Sequence, residues 1–314
     1  MKKVLYFILA ILNFDPLSAQ ESFILTFGYT YEDAQLNTPE VWEETKAIFR
    51  QRLLHLGLDS LDFQFRLEGD GLMVDVATLR PKLRRLLLSV GKIEVQAVMD
   101  LDTSERIIEQ WDQQFREWYL PGLDPSKLGR LYGFDESHYL LNTPRPLIDK
   151  IQTKYDDIRF ALPSSKWIGD FIKAKYQQKN CKDCPPFYWG IEDDKSKGLY
   201  FLKDRPLVLS NYLEDVFLEW DQFGQRNIII HLDSLGAKKF DQYTQRYLKQ
   251  KMAFSLDGEV LMAPIVQATI PGGQIQVTGG GLPLEEMEFL IHLVSGGSLP
   301  GKLIFKSEQV YKKE

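Results

Sequence analysis

Leu67-Glu68-Gly69-Asp70-Gly71-Leu72-Met73-Val74 decides how the first hundred residues read. Glu68-Gly69-Asp70-Gly71 is hairpin chemistry between two apolar runs, because glycine and aspartate tolerate the backbone that a tight turn demands. The flanking strands are predicted at 62–67 and 72–77. Upstream, Thr38-Pro39-Glu40 opens a helix, with threonine as N-cap, proline at the first helical position and an acid in the first turn. Val41, Thr45, Ile48, Leu53 and Leu56 recur near helical spacing, and Gly57 stops the run. Phe23-Ile24-Leu25-Thr26-Phe27 reads as a strand. Downstream, 81–88 is predicted as a second helix and 92–99 as a further strand. The order is β-α-β-β-α-β, a split βαβ or ferredoxin-like unit, so the fold class is α+β.

Beyond residue 100 the pattern loosens. Helices are predicted at 103–118, 145–155 and 165–178, and strands at 199–202 and 228–232. Asp233-Ser234 caps a helix running to about 248. Asp257-Gly258 is a strong two-residue hairpin signal between 253–256 and 260–262, and Gly272-Gly273 joins 265–270 to 274–278 in the same manner. A helix over 284–294 and a strand over 302–306 finish the chain. With 314 residues, 44% apolar and 26% charged, the chain is a folded globular one with room for two domains. A net charge of −6 gives no electrostatic footprint for nucleic acid.

The N-terminus carries Lys2 and Lys3, then an apolar run from Val4 to Leu12, then Ser18-Ala19-Gln20. This is the layout of a secretory signal peptide, 1–19. The rival is an uncleaved anchor in the inner membrane, but Asn13, Asp15 and Pro16 end the run short of the roughly 20 residues a span needs. The expected location is the periplasm, with no transmembrane segment in the mature chain.

Two segments resemble the SecD protein-export subunit. The first is Ala47-Ile48-Phe49-Arg50-Gln51-Arg52-Leu53-Leu54-His55-Leu56-Gly57-Leu58 with the hairpin after it. The second runs from Leu232-Asp233-Ser234-Leu235-Gly236-Ala237-Lys238-Lys239-Phe240 through Leu256-Asp257-Gly258-Glu259-Val260-Leu261-Met262-Ala263-Pro264 and Gln276-Val277-Thr278-Gly279 to Gly296-Gly297-Ser298-Leu299-Pro300; Asp221-Gln222-Phe223-Gly224 also looks familial. The resemblance implies the family's first periplasmic domain, a ferredoxin-like base carrying an inserted α+β head. The base is expected at 20–100 plus 300–314, and the head at 101–299. It implies an accessory role in protein translocation through binding of Sec translocon components or unfolded exported polypeptide. Without the family's transmembrane bundle, the expected role is non-catalytic, with no proton-driven step.

Candidate chemistry is sparse. Cys181-Lys182-Asp183-Cys184 is a disulfide candidate, open to reading as a structural clip, a weak thiol oxidoreductase or half of a zinc site. No cofactor and no metal are expected. The triple glycine 279–281 precedes a helix but lacks the ending of a phosphate loop. Gly279, Gly280, Gly296 and Gly297 are hinge candidates. His231, Asp233 and Ser234 invite a triad reading, yet the last two are explained as helix caps. Arg80, Lys82, Arg84 and Arg85 form a small basic patch, read as a solvated face. Phe187, Tyr188, Trp189 and Phe223 are the polypeptide-binding candidates among many head aromatics, on the expectation that some rings stay exposed beside a groove or sheet edge. A repurposed envelope binding or assembly protein is the alternative function.

Overall fold

The computed structural model describes residues 23–77, 82–119, 147, 150–154, 157–177, 185–192, 195–278 and 283–312. The predicted leader 1–19, Cys181, Cys184, Gly279 and Gly280 lie outside the described residues. In chain order the elements are β1 (Phe23–Tyr31), α1 (Pro39–His55), β2 (Phe63–Glu68), β3 (Gly71–Val76), α2 (Leu83–Leu88), β4 (Ile93–Ala97) and α3 (Leu101–Tyr119). Next come β5 (Gln152–Lys154), β6 (Asp157–Ala161), α4 (Leu162–Gln177), β7 (Phe187–Glu192), β8 (Ser196–Phe201) and β9 (Leu207–Val208). β10 (Leu213–Trp220), β11 (Arg226–Leu232), α5 (Ser234–Arg246), β12 (Met252–Leu256) and β13 (Glu259–Met262) follow, then β14 (Gln274–Thr278), α6 (Leu284–Ser295) and β15 (Leu303–Lys312). Two compact units result, 1–89 with 300–314 and 90–299.

The first unit is a four-stranded sheet in the order β15-β1-β3-β2, antiparallel throughout. That order, with α1 and α2 as its two helices, is the ferredoxin-like arrangement. Thr38 caps α1, its Oγ1 accepting from Val41 N at 3.4 Å. Phe49 and Leu53 on α1 and Leu72, Val74 and Val76 on β3 are fully buried. Each such side chain contributes about 1.5–3 kcal/mol. Tyr29 meets Phe49 edge-on at 5.7 Å between ring centroids, and Tyr31 packs against Trp42 at 4.8 Å. The other sheet face carries a polar network in which Asp75 accepts from Thr26 Oγ1 at 2.6 Å and from Arg66 Nε at 2.8 Å.

Here the structure corrects the sequence reading. The strand predicted at 92–99 is not the closing strand of the base. β4 lies in the head, buried on both faces between β12 and β9, whereas β15, from the 300–314 stretch expected in the base, takes the closing edge place beside β1. The unit boundary accordingly falls at Ser89/Val90, earlier than residue 100. The physical reason is that Glu94 and Gln96, which read as a solvent face, are buried and bonded: Gln96 Nε2 donates to Lys203 O and Asp204 O, and Glu94 pairs with Lys92.

The second unit holds an eight-stranded mixed sheet, β5-β6-β8-β7-β13-β12-β4-β9, and a three-stranded antiparallel sheet, β10-β11-β14. A core of Ile108, Trp111, Phe160, Ile168, Phe171, Ile172 and Phe201 lies among α3, α4, β6 and β8. Asp233 caps α5 through Gly236 N at 2.7 Å, and Phe240 on α5 meets Phe254 on β12. Two further predictions fail. Residues 152–154, expected within a helix, pair with β6 as β5. Residues 265–270 do not form a hairpin with β14. They lie along 244–250 instead, through Val266 N to Gln250 O, Lys249 N to Val266 O and Ile270 N to Thr244 Oγ1, while β14 pairs with β11. Among the described residues no helix is long and apolar enough to cross a membrane.

Candidate functional site

The hairpin turn Asp257-Gly258 does more than reverse the chain. Both residues have positive φ, +52° and +84°, as the sequence demanded. The Asp257 carboxylate accepts from Gly91 N at 3.1 Å and Lys92 N at 2.8 Å, and Asp257 N donates to Lys92 O at 3.0 Å. The other end of the head is tied to the same segment: Ser298 Oγ donates to Gly91 O at 2.7 Å and Leu299 N to Val90 O at 2.8 Å. The two chain crossings are therefore stitched together on the head. Gly296 and Gly297, proposed as hinge positions, end α6: Gly296 N bonds His292 O and Gly297, at φ +91°, bonds Val294 O.

In the base, Arg52 is fully buried and its Nη1 donates to Leu86 O at 2.8 Å and Ser89 O at 2.6 Å. It satisfies carbonyls at the end of α2, which the helix itself leaves without partners. Arg50, two residues away, is exposed and lies 5.8 Å over the Phe65 ring. The spacing Thr45, Phe49, Arg52 places Arg52 on the buried stripe of α1, a signal the sequence reading passed over.

The four aromatic candidates do not form one site. Phe187, Tyr188 and Trp189 sit on β7 inside the eight-stranded sheet, half-buried. Phe187 and Trp189 pack on the core of α3 and α4, while Tyr188 points to the opposite face and donates to Glu94 Oε2 at 3.1 Å. Burial first, and then the Glu94 charge, push the Tyr188 phenol up to about 12. Beside it Tyr200 donates to Asp157, which also pairs with Lys251 at 2.6 Å. The Tyr200 ring lies over Gly190 and Gly198, where a Cβ would come within 2.9 Å of it in each case. This face is built for packing.

Phe223 is elsewhere, at the β10–β11 turn, and is 79% exposed. Trp220 beside it is 59% exposed, with Arg226 5.5 Å over its ring. The turn is fixed: Asp221 Oδ1 accepts from Phe223 N and Gln225 N, both at 2.8 Å, and Gly224 adopts φ +74°. The three-stranded sheet behind it has an apolar face, with Val216 opposite Ile230 and Leu218 opposite Ile228, and a second face with Asp215 opposite His231, Phe217 opposite Ile229 and Glu219 opposite Asn227. His231 packs edge-on against Phe217 at 5.3 Å, and Asp233 is committed to its helix cap, so the two do not combine. Among the described residues no group of three His, Cys, Asp or Glu side chains is placed to hold a metal ion.

Comparison with known proteins matches this architecture. Residues 188–301 match the family model described as SecDF, P1 head subdomain. The protein translocase subunit SecD of Rhodobacter capsulatus is 33% identical over 125 residues, 40% of this chain and 22% of that protein. That of Acidaminococcus fermentans is 42% identical over 91 residues, 29% of this chain and 22% of that protein. The chain thus spans a small part of the length of these relatives. A solved structure of SecDF, described as a membrane component that enhances protein export, shares the fold with a TM-score of 0.52 at 19% identity, over 90% of this chain and 98% of that one. The chain is thus similar to SecD, matching the SecDF P1 head over residues 188–301, and it shares an α+β fold with the solved SecDF structure.

Proposed function

We propose that the chain is a non-catalytic, extracytoplasmic accessory of protein translocation, acting in the periplasm by holding an unfolded exported polypeptide or by docking on the translocon. The observation that carries this reading is the match of residues 188–301 to the SecDF P1 head, together with relatives that are translocase subunits. Fold alone does not fix function, so the head's own surface matters. Trp220 and Phe223 stand exposed on a fixed turn, and such rings supply apolar contact area for a non-native chain. Of the groups that invited a triad reading, Asp233 has structural employment as the cap of α5.

The test is a pull-down with tagged residues 20–314 from an envelope extract, read by mass spectrometry against a tag-only control. Enrichment of translocon subunits or of nascent exported proteins is the expected outcome. Enrichment of one unrelated envelope protein, with neither of those, sinks the export reading and leaves a repurposed binding protein.

A further inference from the structure

We infer that β10 takes up an extended polypeptide segment of alternating apolar and basic residues as an added strand, its basic side chains lying beside the exposed Asp215 and Glu219. This rests on the polypeptide-holding reading above and narrows it to one edge and one sequence chemistry.

β10 is the outer strand of the order β10-β11-β14, with β11 on one side only among the described residues. An outer strand offers its free backbone N–H and C=O groups as a template for another chain. Main-chain bonds supply affinity there, and the alternating side chains supply selectivity. On the apolar face the partner's residues extend the row Val216, Leu218 and Trp220. On the other face they meet Asp215 and Glu219, both exposed, with Phe217 between them.

The chemistry of that second face selects for a donor. Asn227 is 2% exposed, and its Oδ1 has no hydrogen-bond partner among the described residues; the buried Nε2 of His231 has none either. These two groups stand opposite Glu219 and Asp215 across the ladder. One oxygen of Asp215 accepts the neighbouring Val216 N–H at 2.8 Å. An edge face bearing two exposed carboxylates, Asp215 and Glu219, is complemented by a guanidinium or ammonium group, which only donates.

Charge on an outer strand also serves to prevent unwanted pairing. Against a purely defensive role stand Trp220 and Phe223, 59% and 79% exposed at the end of the same strand and held out by the Asp221 turn. Two large exposed rings beside an acidic edge repel like edges while welcoming an apolar, basic one. A second copy of this chain is disfavoured by the same acids, which would face each other.

The experiment uses the full chain with three labelled nine-residue peptides, alternating Val-Lys, Val-Ser and Val-Glu, followed by fluorescence anisotropy. Val-Lys is expected to bind at least tenfold more tightly than Val-Ser, with no binding of Val-Glu, and to weaken as salt rises. Asp215→Lys with Glu219→Lys reverses the preference. N-methylation at one alternate set of peptide amides abolishes binding while the other set is tolerated, a readout independent of whether any variant folds. Equal binding of all three peptides, or indifference to N-methylation at both sets, overturns the inference. A reduced, carboxymethylated unfolded protein serves as second probe. If it binds the wild type and the lysine variant equally, this edge is excluded while polypeptide holding stands. If neither probe binds, both readings fall. Association with phosphatidylcholine vesicles through Trp220, without peptide binding, also overturns the inference and marks the turn as a membrane contact.

Discussion

Asp257 holds Gly91 across 166 positions of sequence, its carboxylate accepting from the Gly91 and Lys92 amides in succession. Asp257→Ala removes both bonds and places a Cβ-bearing residue without a local hydrogen-bonding group at φ +52°. The expected loss is about 2–4 kcal/mol from the head, read by urea unfolding, with faster hydrogen exchange at the Gly91 and Lys92 amides. Asp257→Asn tolerates the backbone and keeps one acceptor, so its loss is smaller. Equal losses from the two variants would refute the clamp.

Arg52→Met leaves Leu86 O and Ser89 O each short of a donor inside the base. The expected cost is about 3 kcal/mol. Arg52→Lys does not restore it, because a compact ammonium replaces a planar fork with fixed donors. Arg50→Ala, at an exposed site over Phe65, costs about 0.5 kcal/mol. Urea unfolding of the three variants checks the order, and a cheap Arg52→Lys would contradict the assignment.

Gly236 begins α5 against Tyr212, and a Cβ there would lie 2.3 Å from the Tyr212 Cβ. Gly236→Ala therefore destabilises by about 1–3 kcal/mol. Tyr212→Ala does not rescue it, since the Cβ is the clashing atom. Gly272→Ala, with open space around its Cβ, stays within about 0.5 kcal/mol of the parent. Thermal melts of the single and double variants decide.

Asp75 gives a pH signature. Burial works to raise its carboxyl pKa, but the hydrogen bonds from Arg66 and Thr26 outweigh it and hold the folded value below the ordinary 3.8. A depressed folded pKa means that the contribution is complete above 3.8, the unfolded value, and drains away as pH falls through the lower folded value. Asp75→Asn is thus less stable than the parent at neutral pH, and the gap narrows in acid. A gap unchanged between pH 6 and about pH 2 would show that Asp75 is not titrating in this way.

The base was legible in sequence because local signals agreed: Thr38 and Pro39 at the start of α1, Gly57 at its end, Gly69-Asp70-Gly71 in the turn. What misled was β4. Ile93, Val95 and Ala97 alternate with Glu94 and Gln96, the pattern of a strand with one wet face. Only the three-dimensional neighbours, Lys92 and the carbonyls of Lys203 and Asp204, make burial of those polar groups tolerable. β10 was missed for a related reason: Glu214, Asp215 and Glu219 dilute its apolar period. The aromatic candidates were chosen by composition, which cannot tell Phe187 against a core from Phe223 on a turn. The asparagine and histidine of β11 carry no sequence signal of being unpaired.

The register of β1 with β15, Phe23 opposite Lys312 and Tyr31 opposite Leu303, sets an order of assembly. A chain made or delivered from its N-terminus presents β1 first and its edge partner last, after the whole insertion has emerged. Among the described residues every strand of the head finds its neighbours within 90–299, so the head can close while the base still waits. Its closure then joins Leu299 to Val90 and converts the longest loop in the molecule into a short one, which lowers the entropy cost of docking β15. The inserted domain is in this sense the folding aid of the domain that carries it, and a lesion that delays the head delays the base as well.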